Sequence, residues 1–313
     1  MAHNALPKRV RLVEVGPRDG LQNEPALHLN TALKVKLIER LAACGLTHIE
    51  CGSFVSASKV PQMADSAGVF QQIRRHNGVR YAALTPNLRA VQDAINTGVS
   101  EVAVFTAASD AFNQHNIHCT TDESLQRFAP AIELAQQHQL PVRAYISTVI
   151  ECPYSGPTDP VTVANLAEQL TAMGCYEISL GDTIGTGTPL QTARLLETVT
   201  QQVPVERIAV HFHNTYGQAL ANILTALQFG VSVIDTSIAG LGGCPYAPGA
   251  SGNIATEDVL YMLQGMGIET GVSLEKLVST SHWICQQLAK ENDSRVSQAL
   301  KPLAGVKTFT QRQ

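Results

Sequence analysis

Two rhythms of apolar residues alternate along the chain. Short β-rich runs occupy Arg11–Val15, Thr47–Cys51, Arg80–Leu84, Glu101–Phe105, Val142–Thr148, Tyr176–Leu180, Ile208–His213 and Val231–Ile238, and these read as strands. Between them lie Thr31–Cys44, Leu88–Thr97, Ser124–Gln139, Val161–Met173, Pro189–Gln202 and Gln218–Phe229, whose apolar residues recur at helical spacing. Gly45, Gly98, Gly174 and Gly230 each sit just after a helical stretch, where a left-handed cap is wanted. Repetition of strand then helix predicts an α/β fold, a closed parallel (β/α)8 barrel of the TIM type. An open doubly wound sheet is the structural alternative.

Past Ser251 the spacing predicts a helix over Thr256–Met266 and another over Ser273–Lys290. Thr256 reads as an N-cap, with Glu257 and Asp258 in the first turn. These additional C-terminal helices, from about residue 256, are expected to complete the outer ring and extend it. No low-complexity segment or linker divides residues 1–313, so a single catalytic domain is expected.

Composition narrows the class. Apolar residues make up 44% of the 313 residues and charged ones 15%, enough for one large core. The net charge of −4 gives no basic excess, which argues against a nucleic-acid or anionic-membrane partner. The seven cysteines are scattered and never spaced Cys-x-x-Cys, so neither a disulfide framework nor a structural zinc site is expected. Met1 to Val10 has no long apolar core, and no stretch reaches the roughly 18 apolar residues of a membrane helix. A soluble, cytoplasmic protein is the expectation.

In such a barrel the working groups sit where strands end. The seventh run closes His211-Phe212-His213-Asn214, and alternation puts both imidazoles on one face. The pair suits a metal or a structural hydrogen-bond network equally. After the first run come Arg18 and Asp19, readable as a salt-bridged turn or as a metal ligand beside a charge-stabilising guanidinium. Glu50 closes an otherwise apolar second run and is expected to face Arg18. Ser53 follows it. The sixth run ends Ser179-Leu180-Gly181-Asp182, where Asp182 reads as a turn or capping residue or as part of the rim. Arg18, Ser53 and Ser179 are the candidate substrate-binding groups. The glycine-rich segment from Gly240 to Asn253 predicts a loop that closes over a ligand. Cys244 is the one thiol placed in it, where it can act as an acid. Asn253 reads as a metal ligand or a helix cap.

Three stretches, Val13 to Glu24, Tyr176 to Gly185 and Ala239 to Asn253, resemble the hydroxymethylglutaryl-CoA lyases, with similarity running from about residue 10 to about residue 290. The resemblance implies a TIM-type barrel holding one Mg2+ or Mn2+ on Asp19, His211, His213 and Asn253. It makes Arg18 and Cys244 a catalytic pair, and Glu50 and Asp182 further active-site carboxylates. His211 is also the candidate to take the alcohol proton. The implied reaction cleaves 3-hydroxy-3-methylglutaryl-CoA to acetoacetate and acetyl-CoA, in leucine breakdown and ketone-body formation. An acyl-CoA substrate and a homodimer or higher homo-oligomer follow as expectations. Two positions depart from the family pattern: Asn214 stands where Asp is usual, and Ala57-Ser58-Lys59 where Pro-Lys-Trp is usual. A condensing synthase or aldolase on the same barrel, or a non-catalytic metal- or CoA-binding protein, are the alternatives.

Overall fold

The computed structural model describes residues 6–25, 29–243 and 252–300. Eight strands form the barrel: β1 (Arg11–Glu14), β2 (His48–Ser53), β3 (Arg80–Leu84), β4 (Glu101–Ala107), β5 (Val142–Ser147), β6 (Glu177–Asp182), β7 (Ile208–Phe212) and β8 (Val233–Thr236). Each pairs in parallel with its sequence neighbours, and β1 closes onto β8 through the Leu12–Ile234 and Val13–Asp235 registers. The closed circuit excludes the open doubly wound sheet.

The two faces of every strand have different tasks. On β6, Ile178 and Leu180 point outward into the main apolar core, while Glu177 and Ser179 reach inward to Arg143 and Asp235. Outward residues pack under α1 (Thr31–Ala43), α2 (Ser66–Gln72), α3 (Leu88–Asn96), α4 (Asp110–Ile117), α5 (Thr121–Gln137), α6 (Pro160–Ala172), α7 (Pro189–Val199) and α8 (Ala219–Gln228). After β8 come α9 (Thr256–Gly265), α10 (Leu274–Leu288) and α11 (Arg295–Ala299). The glycines expected to cap helices do so: φ is +100° at Gly45, +72° at Gly98, +102° at Gly174 and +93° at Gly230.

Short elements escaped the periodicity. α2, α4 and α11 have eight residues or fewer, and a two-stranded hairpin, Glu151–Cys152 with Gly156–Pro157, leaves too little sequence for a period to show. Thr256 is not the cap of α9. Ala255 holds that position, and the Thr256 hydroxyl donates instead to Glu14 Oε2 at 2.7 Å. Glu257 and Asp258 are buried rather than solvated, because α11 folds back over the start of α9. There Asp258 accepts from Ser294 Oγ (2.7 Å) and the Val296 amide (2.9 Å). No described helix is long and apolar enough to cross a membrane.

Candidate metal centre

β1 runs into a turn of π-helix, Gly16–Gly20, in which the amides of Arg18, Asp19 and Gly20 all converge on the Val15 carbonyl at 3.1, 2.7 and 3.2 Å. That wide turn, a form frequent at functional sites, swings Arg18 and Asp19 over the barrel mouth. β7 delivers the histidines by alternation. Phe212 is buried in the outer core, while the His211 and His213 rings lie 5.4 Å apart on the inner side. Asp19, His211 and His213 each present a ligand atom within 4.8 Å of the others.

Asn253 joins them. Its backbone bridges to His213, and its Nδ2 donates to Asp19 Oδ2 (2.7 Å) and the Leu241 carbonyl (3.1 Å). Gly242 makes this possible: its φ is +126°, and a Cβ there would lie 2.7 Å from Asn253 Nδ2. Its place three residues before α9 takes Asn253 away from the cap of that helix.

These groups fit a divalent cation. His213 Nδ1 is buried and has no hydrogen-bond partner among the described residues. Burial pushes the Asp19 carboxyl up, but Arg18, then His211 and His213, and the Asn253 hydrogen bond outweigh it and hold the group near 2. Burial, with His211 next to it, brings His213 down to about 4. Both side chains are therefore in their ligating forms at neutral pH. A carboxylate and two imidazoles are ligand types that a divalent cation takes, and the Asn253 side chain borders them through its Nδ2.

Arg18 lies buried beside the ligands. Its Nε and Nη2 donate to Glu50 Oε2 at 3.0 and 2.7 Å, and its Nη1 to Asp19 Oδ1 at 2.6 Å. The Tyr145 hydroxyl also donates to Glu50 Oε2, at 3.1 Å. Burial opposes the Arg18 charge, yet Glu50 and Asp19 more than restore it and raise the guanidinium above its usual value. Glu50 Oε1 is buried and has no partner among the described residues.

Other candidates lie elsewhere. Asp182 shares the outward face with Phe212. Its Oδ2 accepts from the Gly187 amide at 2.9 Å, and burial lifts it to about 6. It braces the loop after β6 and does not join the ligand group. Ser53 is buried and donates to the Leu84 carbonyl at 3.4 Å. Ser179 lies below the mouth and donates to Asp235 Oδ2 at 2.8 Å. Cys244 lies outside the described residues. The other six cysteines are free and buried. Asn214 is tied down, its amide to the Gly252 carbonyl (2.7 Å) and its Oδ1 to the Ala219 amide (3.3 Å).

Residue-by-residue reading of strand ends missed Tyr145, Arg143 and Asp235. Arg143 Nη1 and Nη2 donate to Asp235 at 3.0 and 2.7 Å, and Asp235 Oδ2 lies 3.3 Å from His211 Nδ1. The signal was present: Arg143 and Asp235 are each the one charged residue in an otherwise uncharged strand.

The family model described as HMGL-like matches residues 9–284. The chain belongs to that HMGL-like family. A 3-hydroxy-3-isohexenylglutaryl-CoA/hydroxy-methylglutaryl-CoA lyase of Pseudomonas aeruginosa is 58% identical over 94% of this chain and 98% of its own. The mitochondrial hydroxymethylglutaryl-CoA lyase of Bos taurus is 55% identical over 94% of this chain and 90% of its own. The crystal structure of hydroxymethylglutaryl-CoA lyase from Pseudomonas aeruginosa superposes with a TM-score of 0.92 at 58% identity, covering 94% of this chain and 98% of that one.

In this HMGL-like barrel the ligand group opens into a cavity of about 550 Å3. Arg18, Asp19, Tyr145, His211 and His213 line its charged side, Leu84, Phe105, Phe112 and Ile117 its apolar side, and Lys59 and Arg127 also border it. Lys59 belongs to the departing Ala57-Ser58-Lys59 segment. A second cavity of about 480 Å3 opens beside the amino-terminal ends of the strands, lined by Arg9, Arg11, Tyr176, Glu177 and Glu206 among others. It does not touch the ligand group.

Proposed function

We propose that the chain is a metal-dependent hydroxymethylglutaryl-CoA lyase, a carbon–carbon lyase that releases acetoacetate and acetyl-CoA. One observation carries the reading: lone pairs from Asp19, His211 and His213 converge within 4.8 Å beside a buried, fixed-charge Arg18, in a chain of the HMGL-like family.

The reaction needs a tertiary alcohol deprotonated, an enolate stabilised and that enolate protonated. Asp19, His211, His213 and the Asn253 amide oxygen are the groups that would hold Mg2+ or Mn2+. When bound, the cation supplies Lewis acidity that lowers the pKa of the substrate alcohol. Arg18 stabilises the charge that develops on the leaving enolate. Of the five N–H groups of a guanidinium, three are committed to Glu50 and Asp19, and the other two remain for substrate oxygen. Glu50 and Tyr145 keep that fork aimed, since a buried carboxylate and a charged guanidinium cannot separate cheaply. His211 is the imidazole at the mouth able to take the alcohol proton, and Cys244 the thiol assigned to protonate the enolate. Asp182 contributes by bracing the β6 loop. The substrate is an acyl-CoA, and we extend the reading to a cytoplasmic homodimer or higher homo-oligomer.

Acetoacetate release by the pure protein from 3-hydroxy-3-methylglutaryl-CoA, with and without added Mg2+, tests the assignment. Release that requires the cation supports it. Turnover only of 2-keto acids with acetyl-CoA assigns a condensing synthase instead. Metal binding without thioester cleavage assigns a non-catalytic protein.

A further inference from the structure

His211 has two ring nitrogens, and the structure engages them differently. Nδ1 lies 3.3 Å from Asp235 Oδ2, while Nε2 faces Asp19 Oδ2 at 4.0 Å. Asp235 is one of the most enclosed carboxylates in the barrel, at 2% exposure. Arg143 donates to both of its oxygens, and Ser179 Oγ donates to Oδ2 at 2.8 Å. Arg143 is itself held from the other side, its Nε donating to Glu177 Oε1 at 2.7 Å, and Glu177 is paired with Arg11. An unbroken column of alternating charge, Arg11–Glu177–Arg143–Asp235, thus runs up the barrel interior and ends on His211.

We propose that Asp235, clamped by Arg143, is a positioning residue that fixes His211 as its Nδ1–H tautomer. Both Asp235 oxygens already accept from a guanidinium, so the carboxylate can only accept from the imidazole as well. Nδ1 must therefore be the nitrogen that carries hydrogen, and Nε2 keeps the lone pair turned to Asp19. Free imidazole side chains prefer the opposite tautomer, so the column acts against an intrinsic bias. His213 has no such brace, since its Nδ1 lacks a partner among the described residues. A neutral His211 so fixed owns a single lone pair. It serves as metal ligand or as proton acceptor, one role at a time, which sharpens the dual assignment above.

The proposal rests on Asp19, His211 and His213 being the metal group, and the test separates the two. Metal-free, 15N-histidine-labelled full-length protein is examined at alkaline pH by two-bond 1H–15N correlation, with His211→Gln identifying the signal. The expected spectrum shows His211 protonated on Nδ1 and bare on Nε2. A wild-type His211 protonated on Nε2 overturns the proposal, whatever the metal does. In Asp235→Asn the side-chain amide can donate to Nδ1, so the tautomer is expected to flip and Mn2+ affinity to fall about 10–100-fold. An unchanged tautomer and affinity in that variant overturn it too. If Asp235→Asn does not fold, the wild-type spectrum decides alone, and Ser179→Ala, which removes one hydrogen bond from the clamp, should keep the Nδ1–H form. Failure of the wild type to bind Mn2+ while showing the Nδ1–H form refutes the metal assignment and leaves the tautomer control standing.

Discussion

Both ends of the barrel interior are built from arginines, carboxylates and histidine, yet only one end is equipped for chemistry. At the amino-terminal end Arg11 pairs with Glu177, Arg80 with Glu101, and His48 sits among Arg11, Arg80 and Arg143. Burial first, and then those three guanidinium groups, drive His48 down to about 3, so it stays neutral. At the carboxyl-terminal end the ingredients are Arg18, Asp19, Glu50, His211 and His213. The difference lies in what is left over. Below, the unpartnered buried atom among the described residues is a donor, Arg11 Nε. Above, Glu50 Oε1 and His213 Nδ1 are acceptors or potential ligands. A cation needs lone pairs, and among the described residues only the upper group gathers three ligating side chains. Charge alone does not mark an active site; uncommitted lone pairs do.

That contrast can be broken by substitution. The column between the two ends should dominate stability. Arg143→Met leaves Asp235 buried without its guanidinium and Glu177 with Arg11 alone, and a cost of about 3–5 kcal/mol is expected in urea unfolding. Arg18→Met should lower kcat by about 10²–10³-fold while Mn2+ affinity stays nearly intact; retained turnover would refute the charge-stabilising role. His213→Ala should weaken Mn2+ binding with little change in melting temperature, which an unchanged Mn2+ titration would contradict. At the lower end the Arg80 side chain is 43% exposed and its buried partner Glu101 keeps the Tyr176 hydroxyl, so Arg80→Ala should cost less than Arg143→Met and leave turnover untouched. A larger effect on rate would mean that the two ends are not separable.

A pH measurement sharpens the upper end itself. Burial raises the Asp182 carboxyl from 3.8 to about 6. A group raised in the folded state binds its proton more tightly there, so its contribution to stability is full below pH 3.8 and lost as pH rises through about 6. Asp182→Asn should flatten that part of the stability–pH curve; an unchanged slope would show that Asp182 is not the titrating group.

Much of this was legible in the sequence because two periods carried it. Eight strands and the long helices follow from apolar spacing, and the barrel follows from their alternation. β3 begins and ends at the predicted residues, Arg80 and Leu84. The His-x-His face was readable from the same rule. Asp182 was harder, because a residue at a strand's last position turns inward or outward by a step of one, and here it turns outward beside Phe212. The inner column was overlooked because Arg143 and Asp235 lie in mid-strand, whereas attention falls on strand ends. Their partnership spans 92 residues, and no local pattern announces it. Likewise the π-helical turn after Val15 has no periodic signature in five residues.

The hydrogen bond between Asn253 and Asp19 joins residues 234 positions apart, from the first β/α unit and the last. Glu14 seals the same seam, accepting from the amides of Gly16 and Ile238 and from the Thr256 hydroxyl. The first and last β/α units are thus locked to each other across the barrel mouth by side chains, so the surroundings of Asp19 are complete only once both ends of the barrel have come together.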